Sequence, residues 1–380
     1  MTHKERRLTD AELAGYQTET EAVQSPMDDN RRVRALIRQQ SDLNAGYPRL
    51  LRNLEAYRNI SFSEVVVDTV PVQLMCNQTR LQSLTSETFE KTANRKSQAC
   101  FLCHLDIGQR GVSIMDENFF VLTNPGITFP GDLTIAATVH QPQMIVGHFS
   151  EMIRIARLLT DFSIFFNGAL AGASSPHLHF QAGFKNMLIG ETQIQSLLAG
   201  EKVGDARLDP IIRQPEIDVF SIENYLRTSY LIYATSEQTL VTFFNHFINA
   251  FVMVSRQIVR NPNVPDFGSY IDSLKMTESE PRMNLMLKFD PESGKYLLAI
   301  FPKRFNRPSC YFRNDDQKLV LGMAIKEALG NVITGNQNDY HRLIDRPELI
   351  AKAYSDTSIT EEMARDLNDR LRTFSGESHG

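Results

Sequence analysis

Between Val33 and Tyr57 the apolar residues Leu36, Ile37, Leu43, Leu50, Leu51 and Leu54 fall at helical intervals, so residues 1–60 are expected to form a helical segment. From 61 to 186 the texture changes. Val65-Val-Val, Phe119-Phe-Val-Leu, Leu133-Thr-Ile and Ile164-Phe-Phe are β-branched or aromatic runs set between Asn, Pro and Gly, and they predict strands. One helix interrupts them, with Ser150 able to cap it and Met152, Ile155, Leu159 and Phe162 as its stripe. Residues 187–275 read as a helical, loop-rich connection. In it Leu240, Phe243, Phe244, Phe247, Phe251 and Val254 repeat as the face of a core helix. Strands return in 276–345. Met283–Phe289 and Tyr296–Phe301 flank a Pro-Glu-Ser-Gly turn, a hairpin signal. A closing helix follows, with a Ser358/Glu361 capping box and Met363, Leu367, Leu371 and Phe374 on its buried side. The pattern predicts an α+β protein. A strand-rich half at 61–186 and a second at 276–380, joined by 187–275, suggest two diverged copies of one unit.

Charge narrows the function. Lysine and arginine number 40 against 45 acidic residues, a net of −5, so no basic field draws the whole molecule to nucleic acid or anionic lipid. The apolar stretch Leu240–Val254 is broken by Asn245, His246 and Asn249 and falls short of the roughly 20 residues of a membrane span. No apolar run follows the polar Met1–Arg7, so a cytoplasmic location is expected. Four cysteines are too few for a disulfide scaffold. Cys100 and Cys103 form a Cys-x-x-Cys pair suited to a metal or to redox chemistry, while Cys76 and Cys310 read as buried thiols.

Candidate chemistry concentrates between Asn167 and Gly183. An apolar strand runs into a loop of small residues, Gly168 to Ser175, whose bare backbone and hydroxyls suit an anion. In the extended segment that follows, alternation puts His177, His179 and Gln181 on one face and turns Leu178 and Phe180 to the core. Three polar groups beside an anion-binding loop fit phosphoryl transfer.

His177-Leu-His179-Phe-Gln181 after Asn167-Gly168 resembles the active-site strand of the nucleotidyltransferase branch of the histidine-triad superfamily. That branch holds galactose-1-phosphate uridylyltransferase, the diadenosine-polyphosphate phosphorylases and the GDP-hexose phosphorylases. Cys100–Cys103, Asn124-Pro125 and His140-Gln-Pro-Gln143 keep the order of the GDP-hexose-phosphorylase-like members, as do Val72–Arg80, Glu280–Leu285 and Phe301–Pro308 more loosely. The resemblance implies a histidine-triad-like antiparallel sheet with flanking helices. It also implies a double displacement in which His179 is the nucleophile and Gln181 helps hold the phosphate. Asn77, Arg80, Asn167, Gly168, Ser174, Ser175, Asn284, Lys303 and Arg304 would be the nucleotide- and phosphate-binding set, with Arg307 beside them. The partners implied are a nucleotide or nucleotide-sugar substrate and a phosphate or sugar-phosphate acceptor, a homodimer being an open option. Cys100, Cys103, His140 and His177 match the family's structural zinc ligands in order, with His104 and His148 as alternatives. Lys303-Arg-Phe-Asn-Arg-Pro308 and Ile325–Gly330 depart from the family's pattern where sugar or second phosphate would be read. A water-accepting hydrolase and a silent nucleotide-binding protein remain alternatives to the transferase.

Overall fold

The computed structural model describes residues 3–22, 27–81, 84, 100–256 and 280–375. The end of the expected 187–275 connection and the first residues of 276–380 lie outside the described residues. The protein is an α+β structure built on a ten-stranded sheet of order β3-β4-β5-β7-β6-β11-β12-β10-β9-β8. Its strands are β3 (Gly111–Ile114), β4 (Phe119–Thr123), β5 (Leu133–Ala137), β6 (Phe162–Asn167), β7 (His179–Phe184), β8 (Arg207–Gln214), β9 (Ile217–Glu223), β10 (Tyr230–Ala234), β11 (Met283–Asp290) and β12 (Lys295–Pro302). Every pairing in the sheet is antiparallel.

One strand order occurs twice. Outward from the β6–β11 junction, each set of five runs fourth, fifth, third, second, first. Each set also carries a helix between its third and fourth strands, Phe149–Leu158 in one and Glu237–Ser255 in the other. These helices share one face of the sheet and meet where Phe149 stacks on Phe244, ring centres 3.8 Å apart. The two sets of five strands thus share a topology within one sheet. The second set begins at β8, so β8, β9 and β10 lie in the stretch 187–275 read as a helical connection.

Both faces of the central strands are covered, which explains their unbroken apolar runs. Ile164, Phe166, Leu285 and Leu287 join the main core beneath the helices. Phe165 and Met286, one residue out of step, join a second core on the opposite face with the helix Ile189–Leu198. A smaller sheet, β1 (Ser61–Val67), β2 (Val70–Cys76) and β13 (Asn331–Thr334), stands apart. Val65–Val67 therefore belongs to a sheet that pairs the region before the histidine strand with the region after β12.

Other local expectations shift for simple reasons. Pro48 divides the predicted N-terminal helix into Asp29–Gln40 and Pro48–Tyr57, leaving Leu43 87% exposed in the connection. The helix Phe149–Leu158 starts one residue before Ser150 with no side-chain cap, and Phe162 already lies in β6. Thr360, not Ser358, caps the last helix, Glu361–Leu371, accepting from the Met363 amide. Glu237–Ser255 is the core helix its periodicity predicts, and no helix among the described residues is long and apolar enough to cross a membrane.

Candidate active site and metal centre

β7 begins at His179, and alternation along it is as read from the sequence. Leu178, Phe180 and Ala182 enter the main core, and His179 and Gln181 point the other way. His179 is 2% exposed. Its Nδ1 lies 2.8 Å from the His177 carbonyl. A carbonyl only accepts, so Nδ1 carries the proton and Nε2 keeps its lone pair. Burial pushes the imidazole down to about 4, the His177 carbonyl opposing this, so the ring is neutral at pH 7.

Cross-strand neighbours of His179 form the rest of the site. Asn167 ends β6 and pairs in register with Asn284 on β11. The Asn284 side-chain amide, fully buried, donates to Asn167 Oδ1 and to the Ala171 carbonyl, both at 2.7 Å. Ile325 N–H adds a second donor to Asn167 Oδ1 at 2.8 Å. The second half of the chain thereby pins the small-residue loop of the first. Gly168 donates its amide to Met283, and its carbonyl takes the amides of Ala171 and Ala173. Gly172 and Ser174 keep uncommitted amides among the described residues. Gly172 has φ +101°, and a Cβ there would stand 2.7 Å from that of Ala324, so no larger residue fits. Ser174 is exposed at the loop's apex, whereas buried Ser175 spends its hydroxyl on the His177 amide at 3.2 Å. Gln181 Oε1 is buried without a hydrogen-bond partner. Of the anion-binding groups read from the sequence, Gly172, Ser174, Gln181 and the Asn284 side-chain oxygen retain free polar atoms among the described residues, while Gly168, Ser175 and the Asn284 side-chain nitrogen hold the scaffold.

Cys100, Cys103, His140 and His177 come together with all their donor atoms within 4.8 Å of one another. His177 Nδ1 lies 3.4 Å from both sulfurs, and His140 Nδ1 lies 3.3 Å from Cys103. Zinc–sulfur and zinc–nitrogen bonds at tetrahedral angles would put sulfur about 3.6 Å from nitrogen, so the donor set fits such an ion. His177 Nε2 is held by the Ala137 carbonyl at 2.8 Å, which leaves Nδ1 unprotonated toward the cluster. The alternatives fall elsewhere: His104 bonds the Cys100 carbonyl, and His148 sits beside Glu151.

The remaining predicted residues lie in the frame around the loop. Asn77 is buried and ties β2 to the Ile127 carbonyl at 2.9 Å, and Arg80 reaches the Gly126 carbonyl at 3.1 Å. Lys303 is buried with its ammonium on the Met323 carbonyl, and desolvation pushes it down to about 7. Arg304 bonds the carbonyls of Ser358, Ser355 and Asp356, closing the end of the helix Glu348–Thr357, and Arg307 bonds Leu321. None of these three hydrogen-bonds to Asn167, the loop or His179 among the described residues. Arg304→Ala should therefore cost about 2 kcal/mol of stability, read by denaturant unfolding, through the lost helix-end bonds. The departing segment Ile325–Gly330 lies at the loop, through Ile325 and through Ala324 under Gly172. Its Lys326 pairs with buried Asp132.

Sequence reasoning missed Gln143 and Glu280. Gln143, 2% exposed, accepts the His179 amide at 2.7 Å and donates to the carbonyls of Asn167 at 2.8 Å and His179 at 3.1 Å. Glu280 takes the amides of Ile145 at 2.6 Å and Val146 at 3.0 Å, fixing the loop that carries Gln143. No local periodicity marks either residue. Burial pushes the Glu280 carboxyl up to about 7, the two amides opposing. A raised value means the folded state favours the proton. Stability is then fullest below the ordinary carboxyl value and is lost as pH rises through about 7, by on the order of 3 kcal/mol. Glu280→Gln should flatten that loss, which thermal melts at pH 5 and 8 would show.

Residues 36–184 match the family described as "Domain of unknown function (DUF4922)", a span that holds the cysteine pair and both strand histidines. No curated protein matches the chain. Among solved structures, yeast Ap4A phosphorylase Apa2 in complex with AMP is similar at 12% identity, covering 82% of this chain and 95% of that one, with a TM-score of 0.49. The same yeast enzyme in complex with Ap4A is similar at 11% identity over 84% and 98%, with a TM-score of 0.47.

Proposed function

We propose that the chain is a nucleotidyltransferase that works through a covalent nucleotidyl-His179 intermediate. The observation that carries the reading is the neutral imidazole, its proton committed to the His177 carbonyl, on a strand paired with the one that leads into the pinned small-residue loop. In the first step the Nε2 lone pair attacks the α-phosphorus of the substrate. The N–P bond forms as the P–O bond to the leaving half breaks, and that half departs with the electron pair. In the second step an acceptor oxygen attacks the same phosphorus and the N–P bond returns its electrons to the ring. Gly172, Ser174 and Gln181 would meet the phosphate oxygens as charge redistributes among them. Bound zinc would be structural, since Cys100, Cys103, His140 and His177 fill a tetrahedral set and leave no open position.

Substrates in view are dinucleoside polyphosphates and nucleoside diphosphate sugars, with phosphate or a sugar phosphate as acceptor. Water is a second acceptor to weigh, because the cations expected to bind phosphate, Lys303 and Arg304, are committed to carbonyls. Incubating the protein with Ap4A and a panel of nucleoside diphosphate sugars, with and without phosphate, tests both. Phosphate-dependent cleavage is the expected result, and phosphate-independent cleavage would make the enzyme a hydrolase. No cleavage of any nucleotide would contradict the reading.

A further inference from the structure

We infer that Gln143 is a positioning residue whose side-chain amide stands in for a missing rung of the sheet and thereby fixes His179 in its working orientation. The inference rests on the nucleophile reading but describes a device of its own. The β6–β7 ladder has Phe162↔Phe184 through Phe165↔Gln181 as its register pairs. Two residues further, the same register would set Asn167 opposite His179, and the two would exchange backbone bonds. Instead the strands part there around the small-residue loop. A parted pair would leave buried amide and carbonyl groups without partners, at a cost of about 1–3 kcal/mol each.

The Gln143 carboxamide fills that gap. It supplies an acceptor to the His179 N–H and a donor shared by the His179 and Asn167 carbonyls, which is the bonding a facing peptide group would offer. The strands can therefore separate without losing backbone bonds, and the separation opens space on the His179 face. Gln143 is itself held from two sides. Its backbone N–H donates to the Pro176 carbonyl at 2.9 Å, and Glu280 clamps the next turn of its loop. Loss of the wedge would let His179 slide toward β6 and loosen its bond to the His177 carbonyl.

Two variants and two backgrounds test this. Gln143→Met keeps the volume and removes every bond, while Gln143→Glu keeps the acceptor and turns the donor into an oxygen facing two carbonyls. In protein carrying His179, both should slow nucleotidyl adduct formation about 100-fold, as expected for a nucleophile misplaced by an ångström. In a His179→Gly background supplied with free imidazole, the same changes should alter the rate less than about threefold, since a diffusing nucleophile needs no backbone support. Equal losses in both backgrounds would overturn the positioning role. Nitrogen NMR of the histidine rings gives a readout independent of turnover. His179 should show one tautomer, protonated at Nδ1, and lose that bias in Gln143→Met; an unchanged spectrum would overturn the inference even if no substrate is ever cleaved. Should both variants fail to fold, slow hydrogen exchange of the Gln143 side-chain amide in the unmodified protein supports the wedge, and fast exchange overturns it. Absence of cleavage by the unmodified protein would sink the transferase reading alone.

Discussion

His179→Ala should reduce nucleotidyl transfer by on the order of 10⁴-fold or more, because the proposed attacking nitrogen belongs to the side chain removed. The variant should still fold. The lost side chain makes one hydrogen bond, to the carbonyl two residues before it, and the backbone amide and carbonyl of position 179 both bond the Gln143 side chain, which an alanine keeps. A cavity under the loop should lower the melting temperature without abolishing the cooperative transition. His177→Ala should behave in the opposite way, destabilising the fold first and activity only through the strand it distorts. Measuring transfer rate and melting temperature for both variants separates the two histidines. Undiminished transfer by His179→Ala would remove the nucleophile assignment.

Cys103→Ser should lower bound metal from about one ion per chain to a small fraction and cost several kcal/mol of stability, since metal binding free energy is folding free energy at such a site. The cluster ties three separate segments together: the 100–103 turn, the 140–143 loop and the start of the histidine strand. Its loss should loosen the Pro142↔His177 bridge and with it the Gln143 contact next door. Chelation of the unmodified protein should reproduce the stability loss. Elemental analysis with thermal melts checks both. Protein free of metal as purified, with undiminished stability on chelation, would remove zinc from the account.

The site was legible where its signal is local. Alternation alone separates His177, His179 and Gln181 from Leu178 and Phe180, and it needs no knowledge of distant strands. Cys100, Cys103, His140 and His177, which the structure gathers into one cluster that could hold a metal ion, could be picked out because ligand chemistry restricts the candidates to Cys and His. Within the fold, runs such as Ile164–Phe166 and Met283–Phe289 read as strands because both faces of the central sheet are buried. β8 was not readable. It is an edge strand with a single buried position, Pro210 and a bulge near Ile212, so neither its period nor its composition resembles the central strands. The partners of Lys303 and Arg304 were not readable for another reason. Their type suggests a ligand, but their carbonyl partners, Met323 and Ser355 to Ser358, lie 20 or more residues away and no spacing announces them. Gln143 was hidden likewise, because its task depends on where two strands part.

Mass spectrometry of the intact protein after exposure to a nucleotide substrate without acceptor tests the central claim most directly. The account predicts a mass increase of one nucleotidyl group, stable to denaturation, lost in acid, mapped to His179 by peptide analysis and discharged when phosphate is added. The same treatment of His179→Gly should show no adduct, yet added imidazole should restore turnover. An adduct on another residue, or turnover without any adduct in the unmodified protein, would contradict it.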